Sequence, residues 1–179
     1  MSTEMEKHEE DYVRGHFEVE LPRPLLKGKI WMDYHEEGEE SSRIIDIKDP
    51  LDIDVYWDVA GSLVPYICGC WCVQLCIECY GDCDEDFCLP PVYIDLDPCG
   101  DGKYHTTLTL PAGRIKYPEN CECSCLCKFV VSITYHTKCR DARGHYLPGA
   151  IAGFVEGPLL QFYDMGEEVV GTPPQPPHP

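Results

Sequence analysis

Apolar and polar residues alternate through the middle of this 179-residue chain, and Pro and Gly interrupt the alternating runs at short intervals. In "IDVYWDV", at 53–59, Ile, Val, Trp and Val share one parity, while Asp54, Tyr56 and Asp58 share the other. The run "KYHTTLTL", at 103–110, alternates in the same way. Successive residues of a strand point to opposite faces of a sheet, so this period of two predicts half-buried β-strands.

Further short runs predict additional strands, namely "FEVEL" at 17–21, "VYIDL" at 92–96 and "LLQFY" at 159–163. Turn-forming sequences such as "PCGDGK" and "RGHYLPG" separate them, and no segment keeps a helical period. We therefore predict eight to ten strands in an all-β fold. The expected architecture is an antiparallel β-sandwich, for which an immunoglobulin-like topology is one candidate.

The ends of the chain differ in composition from its middle. Residues 1–15 are acidic and are predicted to be flexible, residues 16–165 to form a single β-sandwich domain, and residues 166–179 to form an extended Pro-rich tail. A second acidic run, "DYHEEGEESS" at 33–42, is expected to be a solvated loop. The apolar segment 149–165 should contain the last strand, with Pro158 at a sheet edge or a break.

Cysteines are concentrated in two segments, and the first is "YICGCWCVQLCIEC" at 66–79. There Trp71, Val73, Leu75 and Ile77 share one parity and predict the core-facing side of a strand. The opposite parity holds four cysteines together with polar residues. These cysteines, which should face away from the core, are Cys68, Cys70, Cys72 and Cys76.

The second cysteine segment is "CECSCLC" at 121–127, and its parity predicts the opposite orientation. Its four cysteines share parity with Phe129, Val131 and Ile133, so they should face the core. A bulge near residue 128 would switch that register. If both assignments hold, the two segments do not form one common cluster.

Strand geometry limits which disulfides can form. Cysteines two residues apart on one strand have Cα atoms about 6.6 Å apart, at the upper edge of disulfide geometry, whereas directly opposed cross-strand residues lie about 4.5–5.5 Å apart. We therefore expect bridges between strands or between subunits. The candidates are Cys68, Cys70, Cys72, Cys83, Cys88, Cys99 and Cys139. Because the chain has 13 cysteines, full oxidation within one chain would leave one thiol for a partner copy.

Two other roles for the cysteines stay open. Thiolates bind zinc or copper(I), and a CxxC pair followed by CxC pairs offers suitable donors. The candidate ligands are Cys76, Cys79, Cys121, Cys123, Cys125 and Cys127. Alternatively, reduced cysteines pack as small apolar side chains, which is a plain explanation for the inward-facing segment.

Charge and targeting signals restrict the partners. The formal net charge of −18 predicts no direct binding to nucleic acid or to an anionic membrane surface. The acidic N-terminal sequence carries no secretory signal, which predicts a cytoplasmic protein, although the cysteine content leaves non-classical release open. Self-association or another protein is the expected partner.

No motif in the chain identifies an enzyme. Cys139 and His145, in "YHTKCRDARGH", could supply a thiol nucleophile and a base, but no oxyanion element or nucleophile turn accompanies them. The preferred interpretation is a non-catalytic protein with a structural or self-assembly role. A thiolate metal-binding protein is the alternative, and a thiol-dependent enzyme ranks below both.

Overall fold

The computed structural model describes residues 12–22, 24–36, 42–80, 86–97, 99–116 and 125–164. Eleven strands and one 3-10 turn, Val64–Tyr66, make up its secondary structure. The strands are β1 (Val13–Arg14), β2 (His16–Val19), β3 (Lys27–Glu36), β4 (Ile44–Asp46), β5 (Leu51–Ala60), β6 (Gly69–Tyr80), β7 (Phe87–Cys88), β8 (Val92–Asp95), β9 (Lys103–Leu110), β10 (Cys125–Arg140) and β11 (Tyr146–Tyr163). Within these residues there is no helix long and apolar enough to cross a membrane.

The strands form two sheets. The smaller sheet has the order β1-β3-β5-β9, and the larger has the order β2-β11-β10-β6-β7, with β8 also beside β6 and β4 beside β11. Every pairing is antiparallel except that of β4 with β11, which is parallel. The all-β class and the antiparallel sheets confirm the prediction from alternation.

Both sheets contribute side chains to one buried cluster. The aromatic contacts between them are close: the Trp57 ring on β5 lies 6.2 Å from the Trp71 ring on β6, edge to face, and Trp71 lies 5.9 Å from Tyr104 on β9. Every second residue is buried along β5, along β6 from Trp71 to Ile77 and along β10 from Cys125 to Ile133, as the sequence alternation predicted. Burial of these alternate apolar side chains is the main driving force that brings the sheets together.

The chain passes from one sheet to the other at Gly15. β1 pairs with β3 in the smaller sheet, β2 pairs with β11 in the larger sheet, and Gly15 alone separates the two strands. The Gly15 amide donates to the Ile30 carbonyl at 2.9 Å. A Cβ atom at this position would collide with the carbonyl oxygen of Phe154, so a residue without a side chain is required.

One expectation about an acidic segment needs correction. The run at 33–42 was expected to be a loop, but β3 extends through Glu36 and buries Tyr34 to 8% exposure. The residues 33–36 alternate because Tyr34 and Glu36 continue the inward parity of Met32. At the N-terminus, β1 starts at Val13, inside the predicted segment 1–15, where the Tyr12 ring contacts the Tyr56 ring. The remainder of that segment, residues 1–11, and the Pro-rich tail 166–179 lie outside the described residues.

Pro158 lies inside an 18-residue strand, at an irregularity of its pairing. Lys128 pairs with Leu159, whereas Val130 pairs with Glu156, so β11 carries one extra residue here. On its other side β11 pairs with β2 at 151–154 and with β4 at 161–163, which leaves Pro158 in neither ladder. Because proline has no amide hydrogen, this gap in the ladder is compatible with it.

Candidate functional site: the cysteines of β6 and β10

The two faces of β6 differ as the sequence parity predicted. Trp71, Val73, Leu75 and Ile77 are at most 1% exposed and belong to the core. Cys72, Gln74 and Cys76 on the other face are half-buried, and Glu78 is exposed. The first cysteine segment therefore presents Cys72 and Cys76 on the outer face of the larger sheet.

Cys70 also has outward parity, but it is only 5% exposed. β6 lies between β10 and β8 at this point, so Cys70 is directly opposed by His136 on one side and Asp95 on the other. Burial raises the pKa of the Cys70 thiol, and the neighbouring carboxylate of Asp95 raises it further. The thiol is thus held in its protonated form over the neutral range.

Cys72 shares this environment with aromatic side chains. Burial raises the pKa of its thiol, and a hydrogen bond with Tyr93 lowers it in part. The Tyr93 ring packs edge to face against His136, at 5.9 Å between centroids. The His136 Nδ1 atom is buried and has no hydrogen-bond partner within the described residues. The outer face near β8 therefore combines two thiols that stay protonated with a shielded imidazole.

One pair of cysteines is bonded: Cys76 on β6 and Cys88 on β7 form a disulfide. The two residues are directly opposed in the ladder, and their Cα atoms are 4.0 Å apart. Cross-strand opposition is the geometry that the sequence analysis favoured, and Cys88 was among its disulfide candidates. Cys76 was placed instead among the metal ligands, and as a disulfide sulfur it is not a thiolate donor in this structure.

A second pair of cysteines meets on the inner face of the same sheet. Cys79 on β6 is directly opposed to Cys127 on β10, and their Sγ atoms are 2.7 Å apart. Cys127 is fully buried and Cys79 is half-buried against the core. The CxxC pair is therefore divided between faces, because positions 76 and 79 have opposite parity. Their odd spacing in the sequence already predicts that they lie on opposite faces of a strand.

The second cysteine segment faces the core wherever it is described. Cys125 and Cys127 are both fully buried, in line with Phe129, Val131 and Ile133. The irregularity near residue 128 places its extra residue on β11, so the alternation of buried residues in β10 continues from Cys125 to Ile133. Cys83, Cys121 and Cys123 lie outside the described residues.

Three cysteine candidates are exposed and lie apart from these pairs: Cys68, Cys99 and Cys139. The Cys139 amide donates to the Thr137 hydroxyl at 3.3 Å, near the end of β10. His145 lies in the adjoining hairpin, where its amide donates to Asp141 and its Nδ1 lies 3.4 Å from the same carboxylate. The contacts of Cys139 and His145 are thus those of a strand end and a turn.

On the outer face of the smaller sheet, a row of polar and aromatic side chains crosses three strands, and no motif in the sequence had indicated it. The Tyr56 ring stacks between Trp31, at 6.1 Å, and His105, at 4.4 Å. Asp54 accepts from the Thr107 hydroxyl at 2.6 Å and contacts His105 Nε2 at 3.1 Å. Burial, reinforced by the Asp54 carboxylate, raises the pKa of Tyr56 to about 12. The signal in the sequence that could have indicated this surface was the outward parity of Asp54 and Tyr56 in the 53–59 run, and of the facing residues in the 103–110 run.

Among the described residues, no three His, Cys, Asp or Glu side chains come together in a group that could hold a metal ion. Comparison with known proteins adds no assignment, since neither protein-family models nor curated proteins gave a match to this chain.

Proposed function

We propose that this chain is a non-catalytic structural or self-assembly protein, built as a β-sandwich, whose cysteines form cross-strand or intersubunit disulfides. The observation that carries the proposal is the Cys76–Cys88 disulfide, which joins directly opposed residues of β6 and β7. It fastens the short strand β7 to the sheet at its edge, and closing that loop restricts the unfolded chain. A covalent edge of this kind suits a protein that must keep its shape.

The sandwich part of the proposal is supported by the division of faces. The two sheets supply one apolar cluster, and their opposite faces carry carboxylates, hydroxyls and charged side chains. Sheets with one apolar face each are stable when those faces pack together. An immunoglobulin-like strand arrangement remains a prediction.

Self-assembly is supported by exposed thiols and by a sheet edge. Cys68, Cys99 and Cys139 are exposed and can reach a second copy. Within the described residues β9 pairs with β5 alone, which leaves the other side of an eight-residue strand to accept a strand from a partner. Disulfides between the exposed cysteines of two copies would then make the strand pairing between those copies permanent.

The test is the oligomeric state of full-length protein purified without reductant. We expect linked species on a non-reducing gel that collapse to monomer with dithiothreitol, and peptide mapping should recover the Cys76–Cys88 bond. The triple variant Cys68→Ser, Cys99→Ser, Cys139→Ser should lose the linked species and keep that bond. Identical monomer bands with and without reductant, with monomeric mass by light scattering and no disulfide peptide, would refute the proposal.

A thiolate metal-binding protein is the second candidate, because Cys79 and Cys127 bring two sulfur donors together. Zinc or copper(I) is the cation that such donors select. Metal analysis of protein purified anaerobically tests it. Stoichiometric metal that is lost in Cys79→Ser and kept in Cys99→Ser would favour this candidate over the first.

A further inference from the structure

We propose that Cys79 and Cys127 are a second disulfide-forming pair, which reversibly links the central strands β6 and β10 on the core side of the larger sheet. This inference deepens the disulfide role proposed above and rests on it. The bond between Cys79 and Cys127 is distinct from the bond between Cys76 and Cys88. It lies on the core side of the sheet, where reagents in solution reach it less easily.

The Sγ atoms of Cys79 and Cys127 are close enough to indicate a disulfide-forming pair. Their distance of 2.7 Å lies between a covalent S–S bond, about 2.05 Å, and the separation of about 3.5–4.0 Å at which non-bonded carbon atoms rest. Two thiolates on one tetrahedral zinc, each about 2.3 Å from the metal, would be about 3.8 Å apart. The observed approach is therefore closer to a disulfide than to a pair of ligands on a shared ion.

The backbone already has the geometry that a disulfide needs. β6 and β10 pair without a shift from Leu126–Tyr80 to Thr137–Gly69, and Cys127 directly opposes Cys79 within that ladder. Directly opposed residues of antiparallel strands have Cα atoms about 4.5–5.5 Å apart, inside the disulfide range. Bond formation thus requires movement of side chains only. On the other side of β6 the directly opposed pair Cys76–Cys88 is bonded, so the same strand already carries one cross-strand bridge.

Burial determines how the pair is reached. Cys127 is fully enclosed, whereas Cys79 is half-buried next to the end of β6, so a reagent meets Cys79 first. A disulfide replaces two thiols by an apolar group with no hydrogen to donate, which suits the surroundings of Ile77 and Phe129. The bond would close a loop between positions 48 residues apart in sequence, linking two strands that share the core.

The reaction balances with a small-molecule disulfide, such as glutathione disulfide, as oxidant. The Cys79 thiolate attacks one sulfur of that disulfide, forms a mixed disulfide and releases one glutathione thiolate. The Cys127 thiolate then attacks the Cys79 sulfur, which forms the Cys79–Cys127 bond and releases the second glutathione thiolate. The two cysteine protons pass to the two glutathione thiolates, so the protein loses two electrons and glutathione disulfide gains them.

The experiment equilibrates the full chain, reduced anaerobically beforehand, with glutathione buffers of increasing potential. Remaining thiols are then alkylated under denaturing conditions, and linked peptides are identified by mass spectrometry. We expect a peptide joining Cys79 to Cys127 to appear as the buffer becomes oxidising, and to vanish again with excess glutathione. The melting temperature of the wild-type protein should rise on the order of 10 °C in parallel.

Variants separate this bond from the others. Cys79→Ala should abolish the peptide and the part of the melting shift due to it, whereas Cys99→Ala, at an exposed site, should change neither. Cys76→Ala should remove the Cys76–Cys88 disulfide and leave the peptide that joins Cys79 to Cys127 intact. Because the principal measurement is made on the wild-type chain, it stands even where a variant fails to fold.

The contrary results are distinct. The inference is overturned if Cys79 and Cys127 both stay alkylatable at every potential, if either is linked to another cysteine instead, or if the reduced protein holds stoichiometric zinc that Cys79→Ala releases. If the Cys76–Cys88 peptide forms in the same samples while the Cys79–Cys127 peptide does not, the proposed function survives and this inference alone fails. Should no disulfide-linked peptide of any kind form, both fail.

Discussion

Cys76 and Cys79 lie three residues apart on β6, yet they belong to different environments. Cys76 is on the outer face, bonded to Cys88 of an edge strand, and Cys79 is on the inner face, against a fully buried cysteine of β10. A CxxC sequence on irregular chain would bring its two sulfurs together, but on a strand the odd spacing turns them apart. The comparison shows that the backbone conformation decides which partner each cysteine has.

The largest expected effect on stability is that of losing the Cys76–Cys88 disulfide on the outer face. The double variant Cys76→Ala, Cys88→Ala should lower the free energy of unfolding by about 3 kcal/mol, because the bond closes a loop across 12 residues. Urea denaturation without reductant measures it. Cys68→Ala with Cys99→Ala, two exposed cysteines, should change the value by less than about 0.5 kcal/mol. Equal losses in the two variants would show that the outer bond does not constrain the fold.

Neighbouring valines on β10 allow the same comparison without sulfur chemistry. Val131 is fully buried on the inner face, and Val130 is half-buried on the outer face. Val131→Ala should lower the free energy of unfolding by about 2 kcal/mol, and Val130→Ala by less than about 1 kcal/mol. Denaturant titration of both variants provides the measurement. A larger loss at Val130 would contradict the assignment of faces along the whole strand.

On the outer face of the smaller sheet, Tyr56 should make the stability of the protein depend on alkaline pH. Because the pKa of Tyr56 is raised to about 12, its contribution to stability is complete below the unfolded value of about 10 and is lost as pH rises from 10 through 12. We expect unfolding free energy to fall over this window, and to fall less steeply in Tyr56→Phe. Tyr66→Phe, at a position 79% exposed, is the control. Identical slopes in wild type and Tyr56→Phe would refute the contribution.

The smallest expected effect is a difference in the rate of alkylation between two cysteines of the first cysteine segment. Cys70 and Cys68 share outward parity, but Cys70 is buried with a raised thiol pKa, whereas Cys68 is exposed. Iodoacetamide should therefore modify Cys70 several times more slowly than Cys68 in the native protein at pH 8, and at similar rates after unfolding. Fragmentation spectra taken over time distinguish the two sites. Equal native rates would show that β8 does not shield Cys70.

Local alternation was sufficient to predict the face of most residues. The inward set of β6 and the inward cysteines 125 and 127 follow directly from parity, because burial in a strand has the same period as the sequence. Pro158 was expected at an edge or break, and it lies where β11 gains an extra residue. These features depend only on residues near each other in the chain.

Other features depend on which strands become neighbours, and alternation carries no such information. The Cys79–Cys127 contact joins positions 48 residues apart and needs the register of β6 against β10. Cys70 is buried although its parity faces outward, because β8 returns to cover that side of β6. The acidic run after Met32 was misjudged for a related reason: composition suggested solvent, while the partner strand β5 continues alongside it to Leu51.

The passage of the chain through Gly15 has a mechanical consequence. A pulling force on the N-terminus is transmitted first to β1 against β3, and two residues later to β2 against β11, so both sheets carry load through one glycine. Each ladder is short, with two paired positions in the first and four in the second. These strands would therefore detach in sequence at low force, while the long β6, β10 and β11 ladders resist far longer.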